Sequence, residues 1–147
     1  MGNNDDYLSP QVGHQITAVL LGVSEEIIRD GELLWRSALE SLKADEFTVL
    51  HQHVHLFEPV GVTGSAILSE SHMHIHSYPH EAEGRSVVFN LYSCLGEWHG
   101  EKTLAEFLRL IPCDDVLVDR IPVPITKENA HLMPNRSTSL RLVGNVA

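Results

Sequence analysis

A chain of 147 residues, 43% of them hydrophobic and 20% charged, can bury one core, and this composition excludes wholesale disorder. The net charge of −10 works against a nucleic-acid partner, because an acidic surface repels a phosphate backbone, and it favours approach of cationic small molecules. Two cysteines, no N-terminal basic-then-apolar segment and no run of about 18 apolar residues lead us to expect a cytoplasmic protein with no disulfide framework, no signal peptide and no membrane partner.

Residues 1–13 are polar and turn-rich and read as a flexible N-terminal arm. His14 to Gly22 is a β-rich run closed by glycine, the first expected strand. Ser24 can cap the next segment, where Ile27, Ile28, Leu33, Leu34, Ala38, Leu39 and Leu42 recur at helical spacing; Asp30-Gly31 divides it into a short turn and a longer helix. Trp35 on that helix reads as core. Phe47 to Phe57 is expected as a second strand, with histidines on one face and Leu50, Val54 and Leu56 on the other. Glu58 to Gly61 is a turn, and Thr63 to His76 reads as one long third strand antiparallel to the second.

After a loop over 79–84, Arg85 to Cys94 is a fourth strand. Thr103-Leu104-Ala105-Glu106 is a capping box opening a helix that turns Leu104, Phe107, Leu108 and Ile111 inward. Pro122 and Pro124 allow Val116 to Ile125 to be an edge strand only. The tail 126–147 is polar and is expected to be poorly ordered. The order β-α-β-β-β-α-β predicts a single α+β domain over 14–125: a two-layer sandwich, its sheet mostly antiparallel, with helices packed on one face.

Six of the ten histidines form two arrays of period two, His51, His53 and His55, then His72, His74 and His76. On strands each array shares a face, a spacing that suits zinc or another transition metal. Exposed strand histidines are the plainer account, because nothing in the sequence sets the register between the arrays. Ser71, directly after Glu70 and with histidines close by, has the composition for a different chemistry. Its hydroxyl could attack the preceding carbonyl in an N→O acyl shift, and elimination would then split the chain and leave a pyruvoyl group. Composition permits this without showing it. Cys94, standing alone, reads as a small buried hydrophobe, and Cys113 as structural.

Four linked segments carry a resemblance. Phe57-Glu58-Pro59-Val60-Gly61-Val62-Thr63-Gly64, Leu68-Ser69-Glu70-Ser71-His72, Ile75-His76-Ser77-Tyr78-Pro79 and Leu91-Tyr92-Ser93-Cys94 stand in order over residues 13–111. Together they resemble the prokaryotic S-adenosylmethionine decarboxylase proenzymes. The resemblance implies a two-layer α+β fold and self-cleavage between Glu70 and Ser71, into a β chain of residues 1–70 and an α chain of residues 71–147. It makes Ser71 the source of a covalent pyruvoyl cofactor, with no metal. His76 and Thr63 match the residues that assist processing, Cys94 the proton donor to the substrate carbon, and Phe57 an aromatic that stacks on adenine. The pyruvoyl carbonyl would form a Schiff base with the amine of a small-molecule substrate and accept the electrons released with carbon dioxide. Processed protomers would pair as a homodimer.

One position departs from the family pattern. His80 stands where a glutamate is expected to bind the ribose hydroxyls, and Glu81 lies one step along. This bears on substrate rather than on processing. S-adenosylmethionine is the leading substrate. A changed substrate, arginine or ornithine, is the alternative; it would need an acidic group such as Glu58, Glu81, Glu83 or Glu97 for the distal cation, and His74 could belong to a rebuilt pocket. Two further readings are a non-catalytic, unprocessed partner of another subunit and a metal-binding protein built on the histidine arrays.

Overall fold

The structure, a computed structural model, describes residues 12–69, 71–96 and 98–133. Six strands form one sheet: β1 (Val12–Leu21), β2 (Val49–Leu56), β3 (Val62–Leu68), β4 (Ser71–Tyr78), β5 (Ser86–Ser93) and β6 (Asp115–Pro124). Their order is β2-β3-β4-β5-β1-β6, and every neighbouring pair is antiparallel. The helices are α1 (Glu25–Ile28), α2 (Gly31–Ser41) and α3 (Glu101–Leu110).

The core lies between one sheet face and the helices. Ile16, Ala18 and Leu20 of β1, Met73 and Ile75 of β4, and Phe89 and Leu91 of β5 meet Leu34 and Ala38 of α2 and Leu104 and Phe107 of α3. Full burial of such a side chain contributes about 1.5–3 kcal/mol. Phe89 and Phe107 stack with centroids 5.3 Å apart, joining sheet to helix. The expected two-layer α+β arrangement is the one observed.

Local signals explain most boundaries. Ser24 Oγ accepts from the Ile27 N–H at 3.3 Å, and Asp30 Oδ1 from the Leu33 N–H at 3.0 Å, so the Asp30-Gly31 break separates two capped helices. Trp35 is in the core, its indole N–H donating to Gln52 Oε1 at 2.7 Å. Its ring lies over Gly64, where a Cβ would fall 2.2 Å from Trp35 Cε3; only glycine lets β3 pass that close.

Four expectations are corrected. The long third strand is a hairpin of β3 and β4, with Ser69 in the turn between them; Glu70 lies outside the described residues. The inward residues are even-numbered in β3 (Val62, Gly64, Ala66, Leu68) and odd-numbered in β4 (Ser71, Met73, Ile75, Ser77), so the phase slips at the turn. The expected capping box does not form: α3 begins at Glu101, and both the N–H and the hydroxyl of Thr103 donate to Asp45 Oδ2, at 2.7 and 2.9 Å. A carboxylate from a distant turn thus takes the capping role that Thr103 and Glu106 were expected to share. β2 is exposed along its whole length, Leu50, Val54 and Leu56 included, because it is an edge strand beyond most of the helical cover. Part of the expected tail is ordered, through a 3-10 turn at Ala130–Leu132; residues 134–147 lie outside the described residues, as do residues 1–11 of the N-terminal arm, whose last two residues belong to β1. β6 is an edge strand, as its prolines require.

Candidate active site

The β3–β4 hairpin places chemistry at both of its ends. At the turn end, Ser71 opens β4 with its side chain on the helix-covered face. It is 6% exposed, and Ser71 Oγ has no hydrogen-bond partner among the described residues. An unsatisfied buried hydroxyl costs about 1–3 kcal/mol and asks for an explanation. One register row runs from Leu68 through Ser71 and Ser93 to His14 across β3, β4, β5 and β1. Directly opposed Cβ atoms lie about 4.5–5.5 Å apart. Ser93 is fully buried, bonds His99 Nδ1 at 3.1 Å and accepts from the Leu95 N–H at 3.2 Å. His14, 8% exposed, leans on Trp98 with ring centroids 4.7 Å apart, and its Nδ1 has no partner among the described residues. Cys94 follows Ser93 just past the end of β5, half-buried. Burial and then the neighbouring Cys94 push the Tyr92 phenol above its ordinary value.

At the other end, Thr63 and His76 are opposed in register, and Thr63 Oγ1 bonds His76 Nδ1. Phe57 meets His76 edge-on at 6.2 Å between centroids. A cleft of about 370 Å³ is lined there by Phe57, His76 and His80 together with Glu58 and Glu83. Glu81 does not line it, although Glu83, two residues on, does. Of the four candidate carboxylates, Glu97 lies outside the described residues.

Between the two ends is the uncovered face of the sheet. His55, Thr63 and His76 form one row across β2, β3 and β4; His53, Ser65 and His74 the next; His51, Ile67 and His72 the third. Both histidine arrays therefore share this face, with β3 between them. His74 Nδ1 bonds Ser65 Oγ at 2.9 Å, and His72 stacks on Tyr92 at 5.3 Å. Burial, then the charge of His74, hold His72 below its ordinary value. Among the described residues no group of three or more His, Cys, Asp or Glu is placed to hold a metal ion.

The structure thus brings Phe57, Thr63, His76 and His80 together at one end and Ser71 and Cys94 at the other. Ser71 and His76 lie on one strand, five residues and about 16 Å apart, and their side chains point to opposite faces. His14, Ser93, His99 and Asp45 stood out in no motif search. Ser93 lay inside a quoted segment, and the other three had no spacing signal, because only the strand register and the turn before α3 collect them.

Cys113 packs against the core. Burial, then Asp114 and Asp115, raise its thiol above the ordinary value, which suits a structural role.

A one-faced antiparallel sheet backed by helices, with a buried serine at a hairpin turn, makes this a two-layer α+β protein. The pattern of the S-adenosylmethionine decarboxylase family matches residues 14–120, and the chain belongs to that family. It is 32% identical over 125 residues to an S-adenosylmethionine decarboxylase proenzyme of Persephonella marina, covering 82% of this chain and 91% of that one. A second such proenzyme, from Hydrogenobaculum, is 32% identical over 87 residues, 59% of this chain and 63% of the relative. The crystal structure of the adenosylmethionine decarboxylase of Aquifex aeolicus shares the fold, with a TM-score of 0.70 at 22% identity over 81% of this chain and 96% of that one.

Proposed function

We propose that this chain is the proenzyme of a pyruvoyl-dependent S-adenosylmethionine decarboxylase that cleaves itself between Glu70 and Ser71. The observation that carries the reading is Ser71 itself: a buried hydroxyl with no partner, directly after a hairpin turn, in a chain of this family. A hydroxyl left unsatisfied there fits a group that is consumed rather than one that holds the fold. The pyruvoyl group derived from Ser71 would supply a carbonyl that binds the substrate amine and draws electrons from the breaking carboxylate bond. Cys94, which follows Ser93 just past the end of β5, would hold the proton delivered to the substrate carbon. Phe57 would stack on the adenine. Glu58 and Glu83 line the same cleft as His80 and are the carboxylates available for the ribose hydroxyls. A reducing cytosol would keep the Cys94 thiol competent.

His76 and Thr63 cannot reach the bond before Ser71 of their own chain across about 16 Å. A second copy can supply them. The uncovered sheet face, with Ile67 53% exposed at its centre, is the surface for that pairing. Two such faces packed with their strands running oppositely would set the turn end of one hairpin over the cleft end of its partner. This accounts for chemistry at both ends of one strand.

The intact mass under denaturing conditions tests processing. Two fragments, the second starting with pyruvoyl in place of Ser71, are expected, and a full-length chain that persists on incubation overturns the reading. Carbon dioxide should then come from S-adenosylmethionine and not from arginine or ornithine. Co-expression of Ser71→Ala and His76→Ala chains tests the pairing. Cleavage of the His76→Ala chain alone is the expected result, and its absence means that His76 does not act across the dimer.

A further inference from the structure

Behind Ser71 the covered face holds a hydrogen-bonded chain that the family reading does not use. His99 Nε2 lies 3.1 Å from the main-chain oxygen of Asp45. A carbonyl can only accept, so Nε2 carries the proton and Nδ1 is left as an acceptor. The contact of 3.1 Å between Ser93 Oγ and His99 Nδ1 therefore runs from the serine to the histidine: Ser93 donates its proton. Asp45 is itself tied down, its carboxylate holding the Thr103 N–H and hydroxyl at the start of α3. Phe47 closes the edge of the His99 ring at 4.7 Å. Ser93 thus has its hydroxyl proton committed to an imidazole of defined tautomer. Its oxygen already accepts from Leu95 and has one lone pair left. Ser71, directly opposite it in register, is the neighbouring buried hydroxyl and the one with no partner.

We infer that Ser93 and His99 form the proton relay that activates Ser71 for its own cleavage. As Ser71 Oγ bonds to the Glu70 carbonyl carbon, its proton passes to Ser93 Oγ, and the Ser93 proton passes to His99 Nδ1. The C–N bond between Glu70 and Ser71 then breaks, and the proton returns from His99 through Ser93 to the departing Ser71 nitrogen. The result is an ester and a free amine, with no net gain or loss of protons and no co-reactant. Ser93, opposite Ser71 in register, receives the proton once the partnerless Ser71 hydroxyl turns toward its free lone pair; His99 acts through Ser93 and is a positioning residue, as is Asp45 behind it. The inference rests on self-cleavage at Ser71 and assigns its first step to groups of the same chain, whereas His76 and Thr63 come from the partner. His14 is the histidine on the row itself, but it lies two strands from Ser71, whereas His99 bonds Ser93 on the adjacent strand.

The test follows processing of the purified full-length chain by intact mass, with time and across pH. General-base assistance is worth about 10²–10⁴-fold, so Ser93→Ala and His99→Gln should each slow cleavage about 100-fold. Ser93→Thr, which keeps the hydroxyl, should restore most of the rate. The wild-type rate should fall as the pH drops, because a protonated His99 cannot accept from Ser93. Among the described residues, the titratable groups about His99 are Asp45, present through its carbonyl with its carboxylate engaged by Thr103, and His14 across Trp98. His99→Gln should lose that acid limb. Hydroxylamine, which cuts esters and leaves amides, should release less fragment from Ser93→Ala than from wild type at equal times, placing the defect before the ester. Wild-type cleavage with unaltered rates in both variants overturns the relay and leaves the pyruvoyl reading standing. Slower cleavage with an unchanged acid limb in His99→Gln, or an acid limb lost in His14→Gln instead, also overturns it. A wild-type chain that never cleaves removes both.

Discussion

The two faces of the sheet are built from the same strands and have opposite characters. On the covered face the alternate residues of the inner strands are buried and mostly apolar, from Ala66 and Met73 through Phe89 to Leu20. On the uncovered face the intervening residues include His72, His74, His76, Thr63, Ser65 and Asn90, half-buried or exposed. Period two in a strand separates these jobs without cost to either, because a substitution on one face leaves the other in place. The covered face holds the fold and the Ser71 row. The uncovered face holds Thr63 and His76, the proposed processing pair, and is the surface on which a second copy would act.

This contrast can be broken experimentally. The largest effect should come from Ile67→Glu on the uncovered face. It is expected to leave the thermal midpoint nearly unchanged, yet to shift the protein to monomer in size-exclusion chromatography and to cut self-cleavage more than about 100-fold. A monomer that still cleaves at the wild-type rate would show that the two faces do not divide the work in this way. On the covered face Phe89→Ala should cost about 3–5 kcal/mol in urea unfolding, since it empties the stack on Phe107. Gly64→Ala should cost about 1–3 kcal/mol by pressing a methyl group into Trp35, and a neutral outcome would mean that α2 can shift away from β3.

The smallest expected effect is a pH slope at His72. Its folded value lies below 6.5, so the unfolded chain takes up the proton first as the pH falls. Stability should therefore be full above about pH 6.5 and be lost progressively as the pH falls through the lower, folded value. His72→Gln should flatten that part of the urea-midpoint profile, and a slope that survives would belong to other histidines of the face.

Several elements were legible before any coordinates. Apolar spacing located α2 and α3, the prolines placed β6 at an edge, and the Phe57–Gly64 and Ser71–His76 segments marked the two ends of the hairpin. The hairpin itself was missed, although its signal is visible: the inward phase changes from even to odd numbers between Leu68 and Ser71. No glycine or proline punctuates that turn, so a continuous strand was the natural reading. The capping of α3 by Asp45 left no local trace, because the cap comes from 58 residues away.

The amino-acid sequence by itself determined the class of fold and the family, because periodicity, turn residues and linked motifs are local properties of a chain. Tertiary structure alone decided which of those residues meet. Strand register set Ser71 opposite Ser93 and His76 opposite Thr63. It also put about 16 Å of strand between Ser71 and His76, since each residue of a strand advances about 3.3 Å and reverses the face. That distance is a product of backbone geometry, and it is what makes a second copy of the chain part of the proposed active site.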